Sequence, residues 1–152
     1  MQDVQRAGNR ELAIGAAMAC VGVVLGAFGA HALKETLELN GEQFEAAWHT
    51  ATQYQMYGAF GLIACGLAAP RFRCQGVRIA SWLLGLGTVL FSGSLYILAV
   101  SKITKFGMVT PFGGLLLILG FITLTLTAWN SCGSSGCATG IPLEKSQTEP
   151  PQ

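Results

Sequence analysis

Charged side chains are scarce in this sequence: Asp, Glu, Lys and Arg make up 11% of its 152 residues, against the roughly 25% that a soluble surface needs. With 51% hydrophobic residues and a mean hydropathy of +0.49, its apolar excess must face lipid. A formal net charge of +1 excludes the basic field that draws nucleic acid, so no such partner is expected. Catalytic signatures are missing as well. There is no HExxH, no phosphate loop and no serine elbow, so neither catalysis nor a cofactor is expected. The five cysteines form no paired framework. Cys132 and Cys137, in Cys-Gly-Ser-Ser-Gly-Cys, have no second Cys or His pair nearby, and no metal is expected there.

What the chain does have is four stretches free of Asp, Glu, Lys, Arg and His, at 12–30, 51–69, 79–100 and 111–129. Each has about the 20 residues that a helix takes to cross roughly 30 Å of hydrocarbon. The pattern predicts an all-α integral membrane four-helix bundle over 12–130, after an N-terminal cytoplasmic segment at 1–11. Thr110-Pro111 marks the start of the fourth span, since threonine caps a helix and proline at its first position forfeits no bond. The tail at 131–152 is rich in Ser, Gly, Pro, Thr and Glu, and is predicted to be disordered. Ala30-His31-Ala32 offers a small-x-small cleavage pattern, but the run before it exceeds a signal peptide's usual 7 to 15 apolar residues, so a permanent span is expected. No carboxylate falls inside a span, Glu11 standing at the edge of the first, which disfavours a proton-coupled carrier.

Between spans one and two, Leu33 and Leu37 share a helical face and Asn40-Gly41 reads as a helix stop. Phe44, Ala47, Trp48 and Ala51 make a second apolar stripe, with Glu45 and His49 one turn apart. An amphipathic surface helix is therefore predicted here, lying on the membrane before the chain turns into span two. Trp48, Tyr54, Tyr57, Tyr96, Trp82 and Trp129 are placed as interface anchors would be.

On the first span Gly15, Ala19, Gly22, Gly26 and Gly29 fall on one face, and Gly58, Gly61 and Gly85 extend the pattern to spans two and three. Small residues at this spacing let helices approach closely in lipid, so they are read as packing positions. The polar residues His31, Lys34, Gln53, Tyr54, Gln55, Ser92, Ser94, Tyr96 and Thr110 gather toward one side of the membrane. They are either cross-helix hydrogen-bonding groups or a small outward-facing pocket or relay. Lipid is the expected partner, with a second copy or another membrane protein able to pack on the helices.

Four motifs then stand in order: Gly26-Ala27-Phe28-Gly29-Ala30-His31-Ala32-Leu33-Lys34, Thr50-Ala51-Thr52-Gln53-Tyr54-Gln55-Met56-Tyr57, Leu90-Phe91-Ser92-Gly93-Ser94-Leu95-Tyr96 and Thr110-Pro111-Phe112-Gly113-Gly114. Over Leu12 to Trp129 the chain resembles the domain of unknown function 423 family, which takes in YgdD-like and transmembrane protein 256-like small membrane proteins. The resemblance implies a multipass protein of a bacterial inner membrane and supplies no activity. It also implies a histidine after the Tyr-Gln motif, where this chain has Gly58, and a tryptophan late in span four, where it has Phe121. The first departure weakens any mechanism that pairs His31 with a second histidine.

Lys and Arg set the orientation. Arg6, Arg10, Arg71, Arg73, Arg78 and Lys145 fall on one side and Lys34, Lys102 and Lys105 on the other, six against three, which puts both termini in the cytoplasm. A reporter active only in the cytoplasm, fused after Gln152, is expected to work; activity from an export-dependent reporter at that site instead would overturn the topology.

Overall fold

The computed structural model describes residues 2–72 and 75–134, and all of its elements there are helical. They are α1 (Gln2–His31), α2 (Lys34–Asn40), α3 (Glu42–Phe72), α4 (Gln75–Ser101), a short 3-10 helix (Thr104–Met108) and α5 (Thr110–Ser134). The four long helices run antiparallel to their neighbours. α3 packs between α1 and α4, α5 packs along α4, and a smaller contact joins α5 to α3.

One expectation changes here. The stripe from Phe44 to Ala51 does not form a separate surface helix that turns into span two; it is the first part of α3, which runs unbroken from Glu42. The reason is a single buried face: Phe44, Trp48, Ala51, Gln55, Ala59, Leu62, Cys65 and Ala69 recur at steps of three and four along the whole helix. Only α2 remains of the predicted surface helix. It ends at Asn40 because Gly41 takes a φ of +114°, which a side chain would resist. Leu37 then folds under it onto Trp48 and Ala99.

Three of the four expected spans meet a simple measure of length and apolarity, the helical stretches Arg6–His31, Gln75–Ser101 and Lys105–Asn130 being long and apolar enough to cross a membrane. α3 falls short by composition, because Gln53, Tyr54, Gln55 and Tyr57 crowd its first half. At the ends, α1 starts ten residues ahead of Leu12 and α5 carries on through Ser134, while 135–152, with Cys137, lies outside the described residues.

Close packing starts on α1. Among its described residues the buried ones are Gly8, Gly15, Gly22 and Gly29, spaced by seven. A strict heptad on a helix of 3.6 residues per turn calls for left-handed supercoiling. The partners on α3 grow in size along the seam. A Cβ on Gly8 would stand 2.8 Å from the Gly66 carbonyl oxygen, and one on Gly66 would stand 2.7 Å from that of Gly8. Pro70 has no N–H to give to the Gly66 carbonyl four residues back, which leaves that oxygen turned toward Gly8. At Gly15 the obstacles are the Ala59 carbonyl and Ile63, at Gly22 the Met56 sulfur, and at Gly29 the Trp48 indole. The helices thus touch backbone to backbone at one end and hold side chains between them at the other. Ala19 and Gly26 flank this seam and are half-buried.

On the other side of α3, Thr88 sits over Gly58, and Gly61 meets Leu84 and Phe121. Gly85 is different, since a Cβ there would lie 3.9 Å from Leu62, an ordinary contact. Gly15→Ala is therefore expected to lower stability in detergent by about 1–3 kcal/mol, because backbone atoms cannot step aside. Gly85→Ala is expected to leave the unfolding midpoint unchanged or raise it slightly. Equal losses at the two sites would mean that the seam is not a close contact.

Candidate functional site

Polar groups in hydrocarbon need partners, and α3 finds its partners on both neighbours. The Trp48 indole N–H donates to the Leu25 carbonyl at 3.1 Å, and the Gln55 amide N–H donates to the Met18 carbonyl at 2.9 Å. Both acceptors lie on α1, seven residues apart, as the two donors are on α3. From α4 the Tyr96 hydroxyl reaches the Gln55 Oε1 at 2.9 Å and the Thr52 Oγ1 at 3.2 Å. Thr52 passes its own hydrogen to the Trp48 carbonyl at 3.1 Å, and the Trp48 ring meets the Tyr96 ring edge-on with centroids 4.8 Å apart. Trp48 is 4% exposed, and its N–H finds a partner on α1.

Above this network lies a groove of about 240 Å³. Met18 and Leu25 of α1 form one wall, Thr88, Val89, Ser92 and Gly93 of α4 the other, and Gln55 and Tyr96 close the floor. Val89 is 62% exposed, so the groove opens sideways between α1 and α4. Ser92 is 2% exposed, and its hydroxyl has no partner among the described residues.

Of the polar residues read from sequence, Gln55, Ser92 and Tyr96 come together at this groove. The others do not. Ser94 bonds to Thr110 at 2.9 Å and ties α4 to α5. Gln53 donates to the Tyr57 hydroxyl at 2.7 Å on an exposed face, and Tyr54 lies against Phe91. His31 and Lys34 are exposed at the α1–α2 turn. Thr52 and Thr88 belong to the site although neither stood among the polar candidates, Thr88 being read as a small packing residue; their spacing from Gln55 and Ser92, three and four residues, was the available signal.

Glu11, read from sequence as standing at the edge of the first span, has neighbours on α3 and α4. It lies inside the stretch Arg6–His31, near Ser81 and Cys65, with its Oε2 buried and unpartnered among the described residues. Among the described residues no three His, Cys, Asp or Glu side chains gather where they could hold a metal ion.

Tyr96→Phe removes the bonds to Gln55 and Thr52 while keeping the ring contact with Trp48. It is expected to cost about 0.6 kcal/mol, and no more than about 1.7, in detergent unfolding. Gln53→Leu, which loses only an exposed pair, is expected to cost nothing measurable; the reverse order would displace the network from the interior.

Comparison with known proteins gives the chain its relatives. The family described as "Protein of unknown function (DUF423)" matches residues 25–114. UPF0382 membrane protein YwdK of Bacillus subtilis (strain 168) is 42% identical over 116 residues, covering 76% of this chain and 92% of that protein. A UPF0382 membrane protein of Staphylococcus epidermidis (strain ATCC 12228 / FDA PCI 1200) is 40% identical over 120 residues, covering 79% and 95%. UPF0382 membrane protein SH2409 of Staphylococcus haemolyticus (strain JCSC1435) is 42% identical over the same length and shares. No solved structure matches. With its helices, its sequence motifs and these relatives in agreement, this multipass membrane protein belongs to the DUF423 family.

Proposed function

We propose that this chain crosses the bacterial inner membrane four times with both termini cytoplasmic, catalyses no reaction, and binds a membrane-resident molecule in the groove between α1 and α4. Packing supports the fourth crossing. α1 and α4 each lie antiparallel to α3, so they point the same way, and the chain must return across the membrane between them. α3 makes that return, and its buried Gln55 is tolerable there because α1 and α4 take up its hydrogen bonds.

The observation that carries the binding reading is the buried Ser92 hydroxyl in a groove whose mouth, at Val89, faces outward from the helices. A polar group kept in an apolar surround without a partner is unfavourable by about 1–3 kcal/mol, and an occupant that bonds it removes that penalty. The alternative of a small channel or carrier component has less support, because the Trp48–Tyr96–Gln55 network fills the space between α1, α3 and α4 below the groove.

A fluorophore attached through Val89→Cys, in liposomes, is expected to be quenched by brominated acyl chains and not by aqueous iodide. Quenching by iodide alone would mean that the groove opens to water. In the same liposomes ion flux is expected to match that of empty vesicles, and sustained flux would restore the channel reading.

A further inference from the structure

Resting on the groove reading above, we infer that the groove recognises an uncharged lipid-phase molecule through a carbonyl oxygen, of the kind a quinone or an acyl ester carries. The hydrogen bonds already made on its lining limit the choice. On α4, Ser81, Thr88 and Ser101 each give their hydroxyl to the carbonyl four residues back, at 2.9, 2.6 and 2.6 Å. Ser92, on the same helix and 2% exposed, makes no such bond and lines the groove with its hydroxyl unclaimed.

Gln55 adds a second donor. One of its amide N–H groups goes to the Met18 carbonyl, its Oε1 is taken by Tyr96, and its other N–H goes to no described residue. Two residues that line the groove therefore carry a donor that no described residue takes, the Ser92 hydroxyl lying just beneath the lining, while the Gln55 amide oxygen is engaged. An oxygen with two lone pairs and no charge to desolvate satisfies both; a carboxylate or phosphate would bring a charge that no Lys or Arg lines the groove to meet. The remaining lining, Met18, Leu25 and Val89, is apolar and suits a hydrocarbon or ring body. With Val89 at the mouth, such a molecule enters from the bilayer without crossing water.

The test uses full-length protein in nanodiscs and three diazirine probes: a short-chain ubiquinone, dioctanoylglycerol, and a long alkane with no oxygen. Crosslinks are mapped by mass spectrometry. At least one carbonyl probe is expected to label the segment 88–96, about fivefold less in Ser92→Ala, the size of one ordinary hydrogen bond. Because the Ser92 hydroxyl has no partner among the described residues and is unfavourable where it stands, that variant is expected to keep the wild-type unfolding midpoint or raise it, and Val89→Trp, which plugs the mouth, to abolish labelling. Labelling by the ubiquinone alone or by the glyceride alone supports the inference and identifies the source. Equal labelling by the alkane, indifferent to Ser92→Ala, would overturn carbonyl recognition and leave the groove standing. No labelling of 88–96 by any probe would overturn both.

Discussion

The approach of α1 to α3 over four glycines is the contact on which the rest depends. Lipid tails are as apolar as leucine, so no hydrophobic force draws these helices together, and dispersion between closely spaced backbones must supply the attraction. Such attraction falls steeply once a gap of half an ångström opens. Gly8 and Gly66 remove side chains from both surfaces, and Gly15 meets the Ala59 carbonyl directly. Only with α1 held at this distance do the Trp48 and Gln55 side chains reach the Leu25 and Met18 carbonyls.

Over the part that would cross the membrane α3 is the most polar of the long helices, and it is also the most enclosed; the two properties are linked. A glutamine facing lipid would be unfavourable; facing α1 and α4 it joins them. Tyr96, Gln55 and Met18 form one directed chain of donors and acceptors from α4 through α3 to α1. The same enclosure keeps α3 below the apolarity expected of a spanning segment. The groove arises where the partners on α3 grow large, as Met56 and Trp48 stand between the axes and α1 and α4 part above Gln55.

Much of this was legible in the residues, for reasons of local physics. Asn40-Gly41 announced the break before α3, and Gly41 takes the positive φ that the break requires. Thr110-Pro111 marked the first turn of α5, and Glu45 and His49 stand 3.9 Å apart as their spacing implies. The shared face of Gly15, Gly22 and Gly29 followed from periodicity, but Gly8 was hidden, because Arg10 and Glu11 suggested that the packed region had not yet begun. Nor does sequence say which of several hydroxyls and amides turns inward. Gln53 and Gln55 are two residues apart on one helix, so their opposite fates depend on the rotation of α3, which its neighbours set. The unbroken length of α3 was obscured by the acidic residues at its start.

The unequal partners along the heptad also fix how α1 and α3 align lengthwise. Four identical teeth would let one helix ratchet past the other by a whole repeat, about 10.5 Å, and mesh equally well. Here every notch receives a different tooth: glycine at Gly8, alanine with isoleucine at Gly15, methionine at Gly22 and tryptophan at Gly29. A one-repeat slip that offered Trp48 to Gly22 would drive an indole into the narrower part of the seam, and the opposite slip would leave that indole beyond the last notch. The graded seam therefore works as a keyed rack that admits one alignment, so the Trp48 and Gln55 side chains find their α1 carbonyls without a second set of wrong but stable pairings to escape.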